Sequence, residues 1–345
     1  MTGFSQEENP AICHFRAARF LFDLQAITPI RVPEYKGATF RGGFGYAFRK
    51  VVCALKNKEC RDCLLKEKCI YSYVFETPPP SDTRIMRKYP AAPHPFVLCP
   101  PLEDDRIYEP GEFFRFHLTL IGKAIDYLPY FIYSIEELGK MGLGRGKGNF
   151  SLEEVRVVQS EGASEEKGSE QSIYSGKEKI LRPGFQYSNL SIKPSALPAS
   201  GSPIHFLFLT PTRLKFREEL TSELSFHVFF RSLLRRIFLL SYFHCGKPLE
   251  VNFRGLIKEA ESVQTLKDNL YWRDWERYST RQENRMKLGG FMGRIAFSGD
   301  LKPFWPYLIL GELVHVGKGS SFGLGKYEIL NKIQDSKFKN EPGKF

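Results

Sequence analysis

The sequence lacks any apolar run of the ~20 residues that a membrane-spanning helix requires. Residues 237–243 are apolar, but the run is too short and follows two arginines, Arg235 and Arg236. The segment 1–10 carries acidic side chains and no apolar signal-peptide core. We therefore expect a cytoplasmic protein that makes no membrane contact.

The glycine-rich segment from His315 to Lys326 lacks the flanks of the common phosphate-binding loops. P-loop and dinucleotide motifs need a strand before the glycines and a helix after them. Here a run with helical spacing precedes the glycines, and a strand-like run, residues 326–330, follows them. Four glycines and two lysines within residues 317–326 still favour a phosphate cradle, because glycine lets a backbone approach a ligand closely. The alternative is a glycine-rich hairpin with only a structural role.

The composition is that of a basic, aromatic-rich globular chain. Its 345 residues are enough for two domains of ordinary size, and 42% of them are hydrophobic, which supports a buried core. The formal net charge is +11, and the chain contains 30 Phe and 16 Tyr. Basic charge together with abundant aromatic side chains favours nucleic acid or an acidic surface as the partner.

The chain repeats a pattern of motifs at a nearly constant offset. Residues 28–31 and residues 210–213 both read Thr-Pro-x-Arg, and each follows an apolar, strand-like run. A helix-like run that carries Phe-Arg comes next in both cases. A Gly-Leu-Gly turn with a basic fourth residue then follows, at residues 142–145 and 323–326. Three signals in the same order indicate an internal duplication.

Each half thus consists of a strand, a loop, a helix, further strands and a glycine-rich turn. Alternation of apolar and polar residues predicts a half-buried strand over 114–120, and helical spacing of phenylalanines and leucines predicts a buried helix stripe over 226–240. We predict an α+β fold of two tandem ferredoxin-like (RRM-like) halves, with antiparallel sheets backed by helices. The predicted parts are an N-terminal domain (1–155), a linker or surface loop (156–185), a C-terminal domain (186–333) and a polar tail (334–345).

Four cysteines in the first half have the spacing C-x6-C-x2-C-x5-C, at Cys53, Cys60, Cys63 and Cys69. Because cytoplasmic cysteines form few disulfides, this spacing predicts a small metal-binding knuckle inserted in the first half. Four thiolates match a structural Zn²⁺ site, and an iron–sulfur cluster uses the same ligands. The remaining alternative is a set of reduced, unligated cysteines.

The duplicated halves, the Thr-Pro-x-Arg turn, residues 278–282 and residues 315–325 together resemble the CRISPR pre-crRNA-processing endoribonucleases of the RAMP superfamily, in particular those with a C-terminal glycine-rich loop. The resemblance implies two tandem ferredoxin-like folds that bind CRISPR repeat RNA. It also implies cleavage without a metal cofactor, by attack of the RNA 2′-hydroxyl, which leaves a 2′,3′-cyclic phosphate and a 5′-hydroxyl.

Three residues are candidates for catalysis. His315 directly precedes the glycine-rich loop, and a histidine titrates near neutral pH, as acid–base catalysis requires. The alternative is a structural histidine that caps the preceding helix or packs beneath the loop. Arg281 and Tyr278 lie in a polar connector, where they are expected to bind a phosphate and to orient the 2′-hydroxyl. His117 is the strongest rival from the first half.

The expected RNA-binding track combines glycines and basic residues from both glycine-rich turns and from the neighbouring connector: Arg145, Lys147, Lys287, Arg294, Gly317, Lys318, Gly319, Gly323, Gly325 and Lys326. The sequence therefore predicts a metal-independent endoribonuclease that matures CRISPR RNA. One rival is a non-catalytic RAMP subunit that holds guide RNA in a CRISPR effector complex. The other is an unrelated zinc-dependent nucleic-acid enzyme, against which the closed four-cysteine pattern argues.

Overall fold

The computed structural model describes residues 12–56, 58–159, 169–182, 202–216, 219–220, 224–279, 284–287 and 289–330. The strands are β1 Ala17–Ala26, β2 Ile30–Arg31, β3 Phe96–Cys99, β4 Ile107–Tyr108, β5 Phe113–Ile121, β6 Phe150–Gln159, β7 Ser169–Ser175, β8 Ile180–Leu181, β9 Ile204–Thr212, β10 Lys215–Phe216, β11 Glu219–Leu220, β12 Gln264–Arg273, β13 Glu276–Ser279, β14 Asn284–Lys287, β15 Gly290–Ser298 and β16 Tyr327–Leu330. The α-helices are α1 Gly37–Val52, α2 Leu128–Met141, α3 Phe226–His244, α4 Phe253–Ala260 and α5 Trp305–Val314. In this part of the chain, no helix is long and apolar enough to cross a membrane.

The first half is built on a sheet with the strand order β3-β5-β1-β6-β7-β8, in which every pairing is antiparallel. Helix α1 follows β1 in the chain, and α2 follows β5. One face of the sheet packs on these helices through phenylalanines. Phe22 stacks on Phe116 across β1 and β5 at a centroid distance of 4.8 Å, while Phe44 of α1 lies 5.6 Å from Phe131 of α2.

The second half has the antiparallel sheet order β12-β15-β9-β16. When the short elements are left out, the two halves have the same order of elements along the chain. The order is β1-α1-β3-β5-α2-β6 in the first half and β9-α3-β12-β15-α5-β16 in the second. In both halves the third strand and the fourth strand flank the first strand. This is the β-α-β-β-α-β connectivity of a ferredoxin-like unit.

Each half has its own hydrophobic core. The first core contains the buried face of β1 and β5 together with α1 and α2. The second contains β9, β15, α3 and α5, and the N-terminal residues Ile12 and Phe15 join it. Full burial of one such aromatic or aliphatic side chain stabilises the fold by about 1.5–3 kcal/mol. Most of the phenylalanine side chains that the structure describes therefore lie in one of the two cores.

The periodic segments fold as their spacing predicts. On β5, Phe114, Phe116 and Leu118 are buried and Arg115 is exposed. On α3, the stripe is buried, at Phe226, Phe229, Phe230, Leu233, Ile237 and Leu240. An α/β chain with antiparallel sheets is confirmed.

The segment predicted as a linker, 156–185, is in part an extension of the first sheet. Strand β6 continues to Gln159, and β7 and β8 add two further strands at the sheet edge. The side chains of Val157 and Ile173 are buried in the first core, which explains why this stretch does not remain a surface loop. The predicted tail, 334–345, lies outside the described residues.

Two histidines, the buried His244 and the half-buried His94, lie where α3 meets the first half. His244 Nε2 donates to the carbonyl of Pro93 at 2.8 Å, and its Nδ1 accepts from the Tyr73 hydroxyl at 3.1 Å. His94 Nδ1 lies 2.8 Å from Thr77 Oγ1. Burial lowers the pKa of His244 to about 4 and that of His94 to about 3, because an uncompensated imidazolium would be desolvated there. Both rings are therefore neutral at physiological pH.

We predict that acidification from pH 7.5 to pH 5 lowers the melting temperature. The unfolded histidines take up protons near pH 6.5 and the folded ones do not, so each histidine costs about 1.4 kcal/mol of stability per pH unit between its unfolded and folded pKa. Thermal unfolding across this range tests the prediction. Glu312, whose pKa is raised by desolvation, contributes with the opposite sign.

The variant His244→Phe isolates the effect of one ring from that of Glu312. It is expected to be less stable than the wild-type protein at pH 7.5, since the Pro93 carbonyl loses its donor. Its melting temperature should nevertheless fall less between pH 7.5 and pH 5. Parallel pH profiles for the two proteins would contradict the assignment of His244 as a buried neutral ring.

Candidate nucleic-acid interface at the two glycine-rich loops

The Thr-Pro-x-Arg turn of the second half holds the C-terminal glycine-rich loop, residues 317–326. Thr210 is fully buried, and its hydroxyl donates to the carbonyl of Gly323 at 2.9 Å while it accepts from the amide of Lys326 at 2.8 Å. The amide of Gly325 donates to Pro211 and that of Lys318 to Arg213, at 3.1 and 3.2 Å. The turn therefore fixes both ends of the loop through backbone groups.

The first half repeats this arrangement around its own glycine-rich loop, residues 142–148. The hydroxyl of Thr28 accepts from the amide of Asn149 at 2.8 Å, and the amide of Arg145 donates to the carbonyl of Arg31 at 2.8 Å. A side chain at Gly144 would approach that carbonyl oxygen to 2.1 Å, so glycine is required there. In both halves, the threonine hydroxyl and the arginine carbonyl of the turn thus bind backbone amides in or next to the glycine-rich loop, although the partner positions differ.

The C-terminal loop also docks onto the first half. The Tyr35 hydroxyl donates to the carbonyl of Phe322, and a Cβ on Gly37, the first residue of α1, would lie only 2.1 Å from the same oxygen. Gly323 packs against the carbonyl of Leu98 on β3, 2.8 Å from the position of an added Cβ. The loop is therefore a joint between the halves.

Side chains around Tyr35 extend this joint. Its ring stacks on Trp275 at a centroid distance of 4.2 Å, and the neighbouring Glu34 forms ion pairs with Arg273 of the second half and with Arg106. These two arginines lower the pKa of Glu34, Arg273 foremost through its hydrogen bond. Lys36 is buried and donates to the carbonyl of Glu103, and desolvation lowers its pKa.

The sequence did not single out Tyr35, Lys36 or Trp275 as members of a site. A lone tyrosine or tryptophan carries no spacing signal, and their partners come from the other half of the chain. The repeated Thr-Pro-x-Arg motif was the available signal for the two turns. Its role as the holder of both glycine-rich loops became visible only through the hydrogen bonds.

His315 lies beneath the C-terminal loop rather than in its opening. Only 3% of its surface is exposed, its amide caps α5 through Gly311 at 2.8 Å, and Nδ1 lies 3.2 Å from the carbonyl of Leu324, to which it donates. Burial, assisted by Lys326, holds the pKa of His315 well below its usual value. This placement supports the structural alternative for His315 over direct contact with a substrate.

The other basic loop residues differ in exposure. Lys318 is exposed at the tip, whereas Lys326 is buried and its Nζ lies 3.3 Å from Glu328. Arg294 on β15 is half-buried. The loop glycines fall into two pairs, since Gly317 and Gly319 are half-buried and Gly323 and Gly325 are buried. A close backbone approach to a ligand is thus open mainly around Lys318.

The polar connector forms a hairpin of β13 and β14, in which Tyr278 pairs with Arg285. The structure describes the backbone of Tyr278 and Lys287. Arg281 lies outside the described residues. His117 is half-buried on β5, opposite Leu21 and Cys99 of the neighbouring strands. The expected roles of these residues stay predictions.

The four cysteines are all reduced and half-buried, and a short 3-10 helix, Cys60–Asp62, lies among them. Burial and the carboxylate of Glu76 raise the pKa of Cys60, and Cys53 and Cys69 are near enough to add to that shift. Across the described ranges, however, no set of three or more ligating side chains is arranged to hold a metal ion. The four-cysteine knuckle with zinc or an iron–sulfur cluster is therefore not supported by this geometry, and no step of the proposed function depends on it.

Comparison with known proteins matches both halves. Residues 15–185 match a family model described as an N-terminal domain, and residues 206–327 match the family of the CRISPR-associated endoribonuclease Cas6. An uncharacterized protein of Archaeoglobus fulgidus is 25% identical over 304 residues, which are 86% of this chain and 92% of that protein. A solved Cas6 product complex has a TM-score of 0.54 at 18% identity, covering 91% of this chain and 100% of the other. Thermus thermophilus Cas6 has a TM-score of 0.49 at 16% identity, with coverage of 92% and 99%.

The fold and the glycine-rich joint define a two-half protein with the Cas6 fold, as the likeness to the product complex shows. The match over residues 206–327 is to the Cas6 family of CRISPR-associated endoribonucleases, the family that the residues of this chain resemble. The resemblance inferred from its residues is thereby confirmed.

We predict that Thr210→Val destabilises the protein by roughly 2–4 kcal/mol, since the buried Gly323 carbonyl and Lys326 amide both lose their partner. The matched change Thr28→Val, at an exposed position, should cost no more than about 1 kcal/mol, because water can replace the missing bond. Urea unfolding followed by circular dichroism measures both. Equal losses of stability would show that burial of the Thr210 turn is not what holds the C-terminal loop.

We also predict that His315→Ala lowers the melting temperature and weakens RNA binding and cleavage together. His315 has φ +58° and ψ 174°, a conformation that glycine adopts freely, so His315→Gly should retain more stability than His315→Ala. A catalytic histidine would behave differently. The alanine variant would then slow single-turnover cleavage ~10²-fold or more at unchanged melting temperature and RNA affinity, and that result would restore His315 as the acid or base.

Proposed function

We propose that the protein binds CRISPR repeat RNA and cleaves it to mature crRNA, by attack of a 2′-hydroxyl without a metal cofactor. The match of residues 206–327 to the Cas6 family carries this proposal. Its support within the molecule is the C-terminal glycine-rich loop, which the Thr-Pro-x-Arg turn holds by hydrogen bonds and in which Lys318 is exposed. The same order of elements in both halves supports two tandem ferredoxin-like units as the scaffold.

The chemistry needs few protein groups, because the RNA supplies its own nucleophile. The 2′-oxygen forms a bond to phosphorus as its proton leaves, and the bond from phosphorus to the 5′-oxygen breaks as that oxygen gains a proton. Holding the 2′-oxygen, phosphorus and leaving oxygen in line contributes much of the rate. A cation beside the phosphate stabilises the charge that develops on its oxygens.

Because His315 is buried, in this proposal the acid–base role falls to other side chains. We assign the phosphate contact to Lys318 and Arg281, and the orientation of the 2′-hydroxyl to Tyr278, with His117 as the alternative proton carrier. Lys318 is the member of this set with a described, exposed side chain. A rigid joint between the halves suits this chemistry, since catalytic groups on separate elements must keep a fixed spacing. Membership of a larger CRISPR effector complex is a further part of the proposal.

We predict that the protein cuts repeat RNA in the presence of EDTA and that a single 2′-deoxy substitution at the scissile nucleotide abolishes the cut. The control is the same RNA with the 2′-deoxy substitution one nucleotide away, which should still be cut. Product ends should be a 2′,3′-cyclic phosphate and a 5′-hydroxyl. Cleavage that survives the scissile substitution would rule out the mechanism, and tight binding without cleavage would favour a guide-RNA-binding subunit.

A further inference from the structure

We propose that the N-terminal glycine-rich loop, residues 142–148, together with Arg31, forms a second phosphate-binding site that contacts the RNA backbone away from the C-terminal loop. The inference rests on the proposed function in one respect, namely that the ligand is RNA. Its grounds are the contrasting burial of the two loops and a pair of facing arginines.

The duplicated loops have diverged in exposure. In the C-terminal loop, Gly323 and Gly325 are buried. Glycine is needed at position 323 because a side chain there would collide with Leu98 and Pro100 of the first half. In the N-terminal loop, the three consecutive residues Arg145, Gly146 and Lys147 are exposed. A Cβ on Gly146 would meet no atom within 4 Å. The same turn is thus a joint in one half and an open surface in the other.

Two arginines face one another in this open surface. Arg31 and Arg145 form an antiparallel β-bridge, and residues opposite each other in such a bridge direct their side chains to the same side. Like charges in that position are mutually destabilising. Lys147, two residues further along the loop, adds a third exposed cation. Within the described ranges, none of the three forms an ion pair.

Several other exposed cations of the first half have acidic partners. Lys140 lies 2.7 Å from Glu137, and Lys179 pairs with Glu136. Arg115 pairs with the buried Asp23. The unpaired group at Arg31, Arg145 and Lys147 is therefore a local concentration of positive charge, which an anion would relieve.

The backbone holds these cations in place before any ligand binds. The Arg145 amide is bonded to the Arg31 carbonyl, and Asn149 links the loop to Thr28 and, through its side chain, to the end of α2 at Lys140. Leu143 and Gly148 exchange two backbone hydrogen bonds at the base of the loop. Two guanidinium groups on a fixed backbone suit a phosphodiester, whose oxygens accept paired N–H donors.

The site and the inter-half joint lie on one chain segment. Arg31 carries the N-terminal loop, and Tyr35 and Gly37 of the same segment contact the C-terminal loop through Phe322. An RNA strand that reaches the C-terminal loop therefore has a second cationic contact close by. A repeating polyanion fits two such neighbouring contacts better than a single small anion does.

The test is RNA affinity as a function of salt for the full-length protein. The variant Arg31→Gln/Arg145→Gln removes two charges at exposed positions, and Lys140→Gln/Lys179→Gln is the matched control with the same change in net charge. We expect the first variant to bind single-stranded repeat RNA roughly tenfold more weakly than the control. Its salt dependence should be flatter by about 0.7 for each phosphate that the variant no longer neutralises. Melting temperatures of both variants should stay near that of the wild-type protein.

Equal affinity and equal salt slopes for the two double variants would overturn the inference. If the proposed function is wrong, a different result is expected: the wild-type protein would bind repeat RNA no better than an unrelated RNA of the same length. In that case the two double variants are compared on the unrelated RNA. Weaker RNA binding by Arg31→Gln/Arg145→Gln than by the control would still support the site. An absence of binding to either RNA would overturn the inference as well.

Discussion

The buried hydroxyl of Thr210 is the interaction on which the rest of this structure depends. It satisfies one carbonyl and one amide of the C-terminal glycine-rich loop in a place where no solvent can do so. The loop that it fixes then brings Phe322 against Tyr35 and Gly37 of the first half. One buried side chain thus sets the shape of the loop, and the loop sets how the two halves meet.

Duplication explains the architecture, and divergence in burial explains the difference in role. Both halves keep a threonine that bonds to the end of its glycine-rich loop and an arginine carbonyl that receives an amide from the loop. The second copy became the joint, and most of its surface is now covered. Arg145 and Lys147 of the first loop are exposed, so a binding role is proposed for this loop in addition to that of Lys318 in the second.

The basic residues behind the net charge of +11 differ in their surroundings. On the outer face of the first sheet, Arg115 and Arg156 are neutralised by the buried Asp23, and their charge serves the fold. Histidines buried at the meeting of the halves stay neutral because desolvation opposes their protonation. On the two glycine-rich loops, Lys318 is exposed in the second half and Arg145 and Lys147 are exposed in the first.

The sequence by itself determined the elements that follow from local periodicity and the two halves that follow from repeated motifs. Alternation over 114–120 and helical spacing over 226–240 fix strand β5 and helix α3, because burial of one face follows directly from the spacing of apolar residues. The repeated Thr-Pro-x-Arg and Gly-Leu-Gly motifs revealed the two halves and the position of both loops. Only the tertiary structure decided what each loop residue can reach. His315 is buried, and Tyr35 and Trp275 meet across the halves, because exposure and convergence depend on residues distant in the chain.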